Sequence, residues 1–141
     1  MLVRDILEET PVDFPTVVTD DPASRAAEVM RESDVRAVPV VEGERLVGIV
    51  TDWDIVDAFA QRGAELATLP VSGIMTSENL ITIDIESSAI DASRLLAEHR
   101  IHHLPVLEDG KYRGVVCLGL EWSEEGMLAP PVRPTLTARH P

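Results

Sequence analysis

The run Gly48-Ile49-Val50-Thr51-Asp52-Trp53-Asp54 ends an apolar stretch on a hydroxyl and, three residues later, a carboxylate. Where a strand gives way to a helix, such an Asp can accept two hydrogen bonds from vicinal hydroxyls, the pair that a ribose presents. Thr51 beside it can bond a phosphate or a hydroxyl, and the amides of the helix N-terminus are expected to add partial positive charge for an anion. The Thr-x-x-Asp spacing is equally a helix-capping signal, and the residues alone leave both readings open. His99, His102 and His103 lie close together, but neighbouring strand residues point to opposite faces and no Cys or carboxylate closes a ligand set, so no metal is expected. Cys117, the single cysteine, ends an apolar strand and reads as a packed small hydrophobe rather than a nucleophile. No paired-carboxylate, triad or phosphate-loop signature stands out, so an enzyme is not expected.

The elements that must position these residues repeat. A shift of 66 residues brings Thr16 onto Thr82, Ala23 onto Ala89, Ala26 onto Ala92, Pro39 onto Pro105, Val40 onto Val106, Gly48 onto Gly114 and Val50 onto Val116, without a gap. Each copy reads as strand, helix, strand, strand, helix. In the first copy Thr16 to Thr19 is a short β-branched strand. Asp20-Asp21-Pro22 then supplies a cap and a first-turn proline for a helix through about Ser33. Val35 to Val41 and Arg45 to Thr51 read as strands joined by the turn Glu42-Gly43-Glu44, echoed by Glu108-Asp109-Gly110 in the second copy. Asp52 to Gln61 follows as a helix. An apolar lead-in precedes each copy, Val3 to Leu7 and Val71 to Met75, offset by 68 rather than 66, so the loop near Pro11 to Pro15 is the longer one. The expected organisation is repeat 1 over 1–62, a linker over 63–70, repeat 2 over 71–128 and a Pro-rich tail over 129–141.

The whole chain has 141 residues and a formal net charge of −13. That suffices for a compact fold without disulfides. Scattered arginines, a single lysine and the acidic balance argue against nucleic acid. No apolar run approaches the ~18 residues of a membrane span. With no secretory pattern at the N-terminus and one cysteine, a cytoplasmic location is expected.

Taken together, the repeat, the hydrophobe-proline strands and the Thr-x-x-Asp motif resemble the cystathionine-β-synthase (CBS) domain pair, or Bateman module. Its marks here are Val35-Arg36-Ala37-Val38-Pro39-Val40 with the 48–54 run, and Arg100-Ile101-His102-His103-Leu104-Pro105-Val106 with Gly114-Val115-Val116-Cys117-Leu118-Gly119-Leu120. The resemblance spans residues 3 to about 122. It implies an α+β fold of two β-α-β-β-α units related by a pseudo-two-fold axis, and a regulatory role through an adenosine-containing ligand: AMP, ADP, ATP or S-adenosylmethionine. By that resemblance Thr51 and Asp54 hold ribose, Leu80, Ile81 and Thr82 cover adenine, and Arg36, with His102 and His103 before Pro105, faces phosphate. Cys117 and Leu120 stand where a second hydroxyl and Asp would be, so about one ligand per chain is expected. Trp53 replaces the Arg that relatives often carry, and with the net charge this ranks AMP, ADP and the sulfonium above ATP. The resemblance further implies a homodimer and an effector protein as partner. The competing reading is a ligand-free interaction module acting through dimerisation of the CBS pair.

Overall fold

The structure is a computed structural model that describes residues 1–9 and 13–117. In chain order it comprises α1 (Val3–Glu9), α2 (Ala23–Ser33), the hairpin β1 (Ala37–Glu42) and β2 (Arg45–Thr51), α3 (Asp52–Arg62), two 3-10 turns (Gly63–Thr68 and Val71–Gly73), β3 (Ile83–Asp84), α4 (Ala89–His99) and the hairpin β4 (His103–Glu108) and β5 (Lys111–Cys117). These form two compact units, and the mixed α and β content is the class the sequence implied. The segment 63–70, expected as a linker, contains a 3-10 helix. The second helix of the second copy, Leu118, Leu120, Trp122 and the tail fall outside the described residues.

One unit holds residues 15–80. Its hairpin runs Ala37↔Thr51 to Glu42↔Arg45 with a bulge at Val40/Val41. The expected first strand shrinks to a bridge, Val17 lying parallel to Val40, and on the outer side of β2 Thr76 exchanges two 2.9 Å backbone bonds with Ile49. α2 packs its small residues inward: Ala23 and Ala26 are fully buried, with Val29 and Met30 beside them. Its start differs from the expected cap. Pro22 occupies the cap position, where its hydrocarbon ring has no acceptor to offer, and the Asp21 carboxylate, one residue earlier, accepts the Val18 N–H at 2.9 Å.

Among the described residues, the other unit joins 1–9 and 13–14 to 81–117. β3 runs parallel to β4, Ile83 opposite Val106, and β4 pairs antiparallel with β5 from His103↔Cys117 to Glu108↔Lys111. Its core gathers Val3 and Ile6 of α1 with Ile83, Ile85, Ala92, Leu96, Leu104, Val106 and Val116. Burying a side chain of this kind contributes roughly 1.5–3 kcal/mol, so α1 is an integral part of this core. Arg4 adds ion pairs to Glu86 and, at 2.8 Å, to Glu108.

The same three backbone bonds seat both lead-ins. In the second-repeat unit Val3 N–H reaches Ser87 O at 2.8 Å, Arg4 N–H reaches Ile85 O at 2.9 Å and Ala89 N–H reaches Met1 O at 2.8 Å. In the other unit Val71 N–H reaches Asp21 O at 2.7 Å, Ser72 N–H reaches Thr19 O at 3.2 Å and Ala23 N–H reaches Leu69 O at 2.7 Å. Each lead-in thus serves the repeat that does not follow it directly: α1 packs with the second repeat's strands, and residues 69–76 pack with the first's. The repeated glycine has the same origin. A Cβ on Gly48 would lie 2.5 Å from Met75 Sδ and 3.0 Å from Thr76 O, and one on Gly114 would lie 3.4 Å from a Leu7 methyl.

Candidate functional site

Thr51 is the last residue of β2 and the N-cap of α3, because extended backbone there lets its hydroxyl turn back over the first helical turn. Its Oγ1 accepts the Asp54 N–H at 3.2 Å, and Asp54 Oδ2 accepts the Thr51 N–H at 2.8 Å, a reciprocal capping box. Both side chains are half-buried. The bonds fix the Asp54 carboxylate by one oxygen; the other, Oδ1, accepts nothing among the described residues, and the Thr51 hydroxyl likewise donates to none of them. One carboxylate oxygen and one hydroxyl proton are therefore held in place and available to a ligand bearing hydroxyls. Capping and ribose binding, alternatives in the sequence, are compatible in the geometry.

The hairpin brings Arg36 to the same end of this unit. It immediately precedes β1, and its carbonyl accepts the Asp52 N–H at 2.9 Å. Its side chain is exposed, with no ion pair among the described residues. Trp53, next along α3, is 68% exposed.

The sequence has the amides of the α3 N-terminus adding partial positive charge for an anion, and the structure shows which groups those amides bond. A helix leaves its first four N–H groups without intrahelical partners, and in α3 each has another. Thr51 N–H goes to Asp54 Oδ2, Asp52 N–H to Arg36 O, Trp53 N–H to Asp52 Oδ1 at 2.8 Å, and Asp54 N–H to Thr51 Oγ1. Asp52 is the residue that sequence reading passed over. An Asp in the first helical turn was visible, but not that its side chain would occupy an amide.

Leu80 is half-buried in the 15–80 unit. Ile81 and Thr82, also half-buried, belong to the other unit, where they precede β3 rather than forming a strand, and Ile81 packs against that unit's core. His102 is exposed just before β4, His103 is its first residue, and Pro105 is buried within it. The ring of Phe14 meets His103 edge-on at 5.6 Å. Across the ladder His103 stands opposite Cys117, a pairing no sequence spacing announced. The thiol is not activated by it: burial pushes Cys117 up to about 12, opposite to the shift a nucleophilic cysteine requires. Nearby, the Tyr112 hydroxyl is buried without a hydrogen-bond partner among the described residues, and its acidity is lowered by that desolvation first, then by the charges of Cys117 and Asp13. Among the described residues no three His, Cys, Asp or Glu side chains are grouped to hold a metal ion, and no helix is long and apolar enough to cross a membrane.

The CBS domain family model matches residues 3–61 and 71–119. A CBS domain-containing protein of Bacillus subtilis, YhcV, is 38% identical over 104 residues, covering 74% of this chain and 73% of its own. Among solved structures, the CBS-domain containing protein ATU1752 from Agrobacterium tumefaciens superposes with a TM-score of 0.73 at 29% identity, over 83% of this chain and 93% of that one. CBSX2, solved in complex with AMP, has a TM-score of 0.67 at 26% identity, over 82% and 89%. The chain belongs to the CBS domain family and carries two copies of the domain, the tandem arrangement of a regulatory module.

Proposed function

We propose that the protein is a ligand-sensing regulatory module that binds an adenosine-containing molecule, about one per chain, with Asp54 and Thr51 as the ribose-holding pair. The observation that carries this is the half-buried Asp54 carboxylate, pinned through Oδ2 while Oδ1 is left to accept a hydroxyl. The AMP complex of CBSX2 supports the ligand class. The proposal retains Leu80, Ile81 and Thr82 as the residues that cover the base, and Arg36, His102, His103 and Pro105 as those lining its far end. It takes the module to act in the cytoplasm, as a homodimer, through an effector protein. Titration calorimetry of the full chain with AMP, ADP, ATP and S-adenosylmethionine tests it. Saturable binding near one site per chain, lost in Asp54→Asn, is the expected result; no heat with any of the four would remove the reading.

A second reading has its own observation. Along α3, Trp53, Val56 and Phe59 are 68%, 55% and 59% exposed, and the helix buries no residue completely. Large apolar side chains in that setting favour a protein contact, and a ligand-free module acting through dimerisation would use them. A monomer at micromolar concentration in sedimentation velocity would count against it.

A further inference from the structure

Equivalent backbone bonds seat the two lead-ins, but charge is added at only one of the seats. Arg4 of α1 pairs with Glu86, its Nε donating at 2.9 Å, and with Glu108 at 2.8 Å, and Glu108 in turn pairs with Arg113 of β5. Side chains from α1, the turn before α4, β4 and β5 thus form a chain of alternating charge, Glu86, Arg4, Glu108 and Arg113. The first repeat keeps both acids, as Asp20 and Glu42, but has Ser72 and Val47 where the cations Arg4 and Arg113 stand. There the Glu42 carboxylate accepts the Thr19 hydroxyl at 3.3 Å. Arg4 is the one Lys or Arg among residues 1–9, which also hold Asp5, Glu8 and Glu9. Without its guanidinium the segment would bring only carboxylates up to Glu86 and Glu108, so a single side chain decides whether charge draws α1 in or pushes it out. The side chains of Arg4, Glu86 and Arg113 are 33%, 58% and 49% exposed, which leaves these pairs open to screening by salt.

We propose that α1 is a charge-latched strap: residues 1–9 open away from the second-repeat unit as one piece, with the chain from Glu86 to Arg113 as the latch, while 69–76 stay seated in the first-repeat unit. Opening breaks the bonds of the Val3, Arg4 and Ala89 N–H groups together, since all three join the strap to its seat, and it uncovers Val3 and Ile6, which are otherwise buried. Burial of those two side chains sets how rare the open state is, and the latch sets how that rarity depends on ionic conditions. Exposed ion pairs are weak singly and gain weight when they share partners, as Arg4 and Glu108 do here. The device stands apart from the adenosine reading and from the residues assigned to it.

Residue-resolved hydrogen exchange of the full chain by NMR tests this, because the equivalent amides of the other seat, those of Val71, Ser72 and Ala23, serve as an internal reference. Wild type is compared with Arg4→Met, which keeps an apolar stem but no charge, and with Glu86→Gln, which neutralises an exposed side chain. At about 0.1 M NaCl, where charges act over about 10 Å, the amides of residues 3, 4 and 89 are expected to exchange at least about threefold faster in Arg4→Met than in wild type. Glu86→Gln is expected to move them in the same direction, while the amides of residues 23, 71 and 72 keep their rates in both variants. At about 1 M, where the range falls to about 3 Å, the difference between variant and wild type is expected to shrink to about half or less. A packing role for Arg4 alone would leave the ratio of variant to wild-type rates the same at both salt concentrations, and that result overturns the proposal. Equal acceleration in both sets of amides, which would mean that the two seats open together, overturns it as well, as does the absence of acceleration in either variant.

Discussion

Under the proposed function Asp54 carries two duties, capping and ligand binding, that different substitutions separate. Asp54→Ala removes one bond of the capping box, the Thr51 N–H to Oδ2, while the backbone N–H of residue 54 still donates to Thr51 Oγ1, and should cost about 0.5–1.5 kcal/mol in urea unfolding as well as ligand binding. Asp54→Asn keeps an oxygen for the Thr51 N–H but turns a donor toward the ribose; unfolding should then move less while adenosyl binding falls at least tenfold. Equal loss of stability in the two variants would show that the carboxylate charge, not its hydrogen bond, supports the helix. Cys117 supports a prediction of a different kind. Its folded-state pKa of about 12 stands above the ordinary 9.0, so between those values the folded protein keeps a proton that the unfolded chain releases. The contribution is therefore fully present below the unfolded pKa and declines as pH rises from about 9 toward 12. Iodoacetamide at pH 8 should alkylate Cys117 far more slowly in the folded protein than in urea; equal rates would mean the thiol is open to solvent. The Thr-x-x-Asp pattern was legible because capping geometry is local. The occupation of the α3 amides was not, because Arg36 O arrives through the hairpin's register and Asp52 Oδ1 through a choice of side-chain rotamer.

At the scale of elements, the hairpin, its turn and both packed helices were readable in the sequence, since period, β-branching and turn residues all act over a few positions. The partner of each lead-in was not. Both repeats present a strand glycine and similar apolar faces, so Val3 to Leu7 and Val71 to Met75 each have two receptors that look alike in one dimension. The two-residue excess in the first spacing registers only as a longer loop. Gly48 makes the seating of a lead-in testable. In Gly48→Ala the new methyl meets Met75 Sδ and a backbone carbonyl that cannot rotate away, and overpacking of this kind costs about 1–3 kcal/mol. Denaturant unfolding should show that loss, and a change below about 0.5 kcal/mol would mean that residues 75–76 move aside freely.

For the whole molecule, the division into units departs from the order of the repeats along the chain. Residues 15–80 form one unit from a continuous stretch, while the other is assembled from both sides of it. Removing residues 1–9 should therefore damage the unit that begins again at Ile81. The loss of buried Val3 and Ile6 is worth about 3–6 kcal/mol. Hydrogen exchange should show backbone protection collapsing in β3, α4, β4 and β5 while β1 and β2 retain theirs. Uniform loss through both hairpins would instead tie the two units into one cooperative whole. The same arrangement sets a timetable for synthesis. The α1 side chains leave the ribosome first, yet the strands that cover them end at Cys117, and at about 5–20 residues per second the wait lasts on the order of 5–20 s. During that interval the 15–80 stretch can complete itself, while Val3, Ile6 and Leu7 stay open to whatever binds apolar nascent chain.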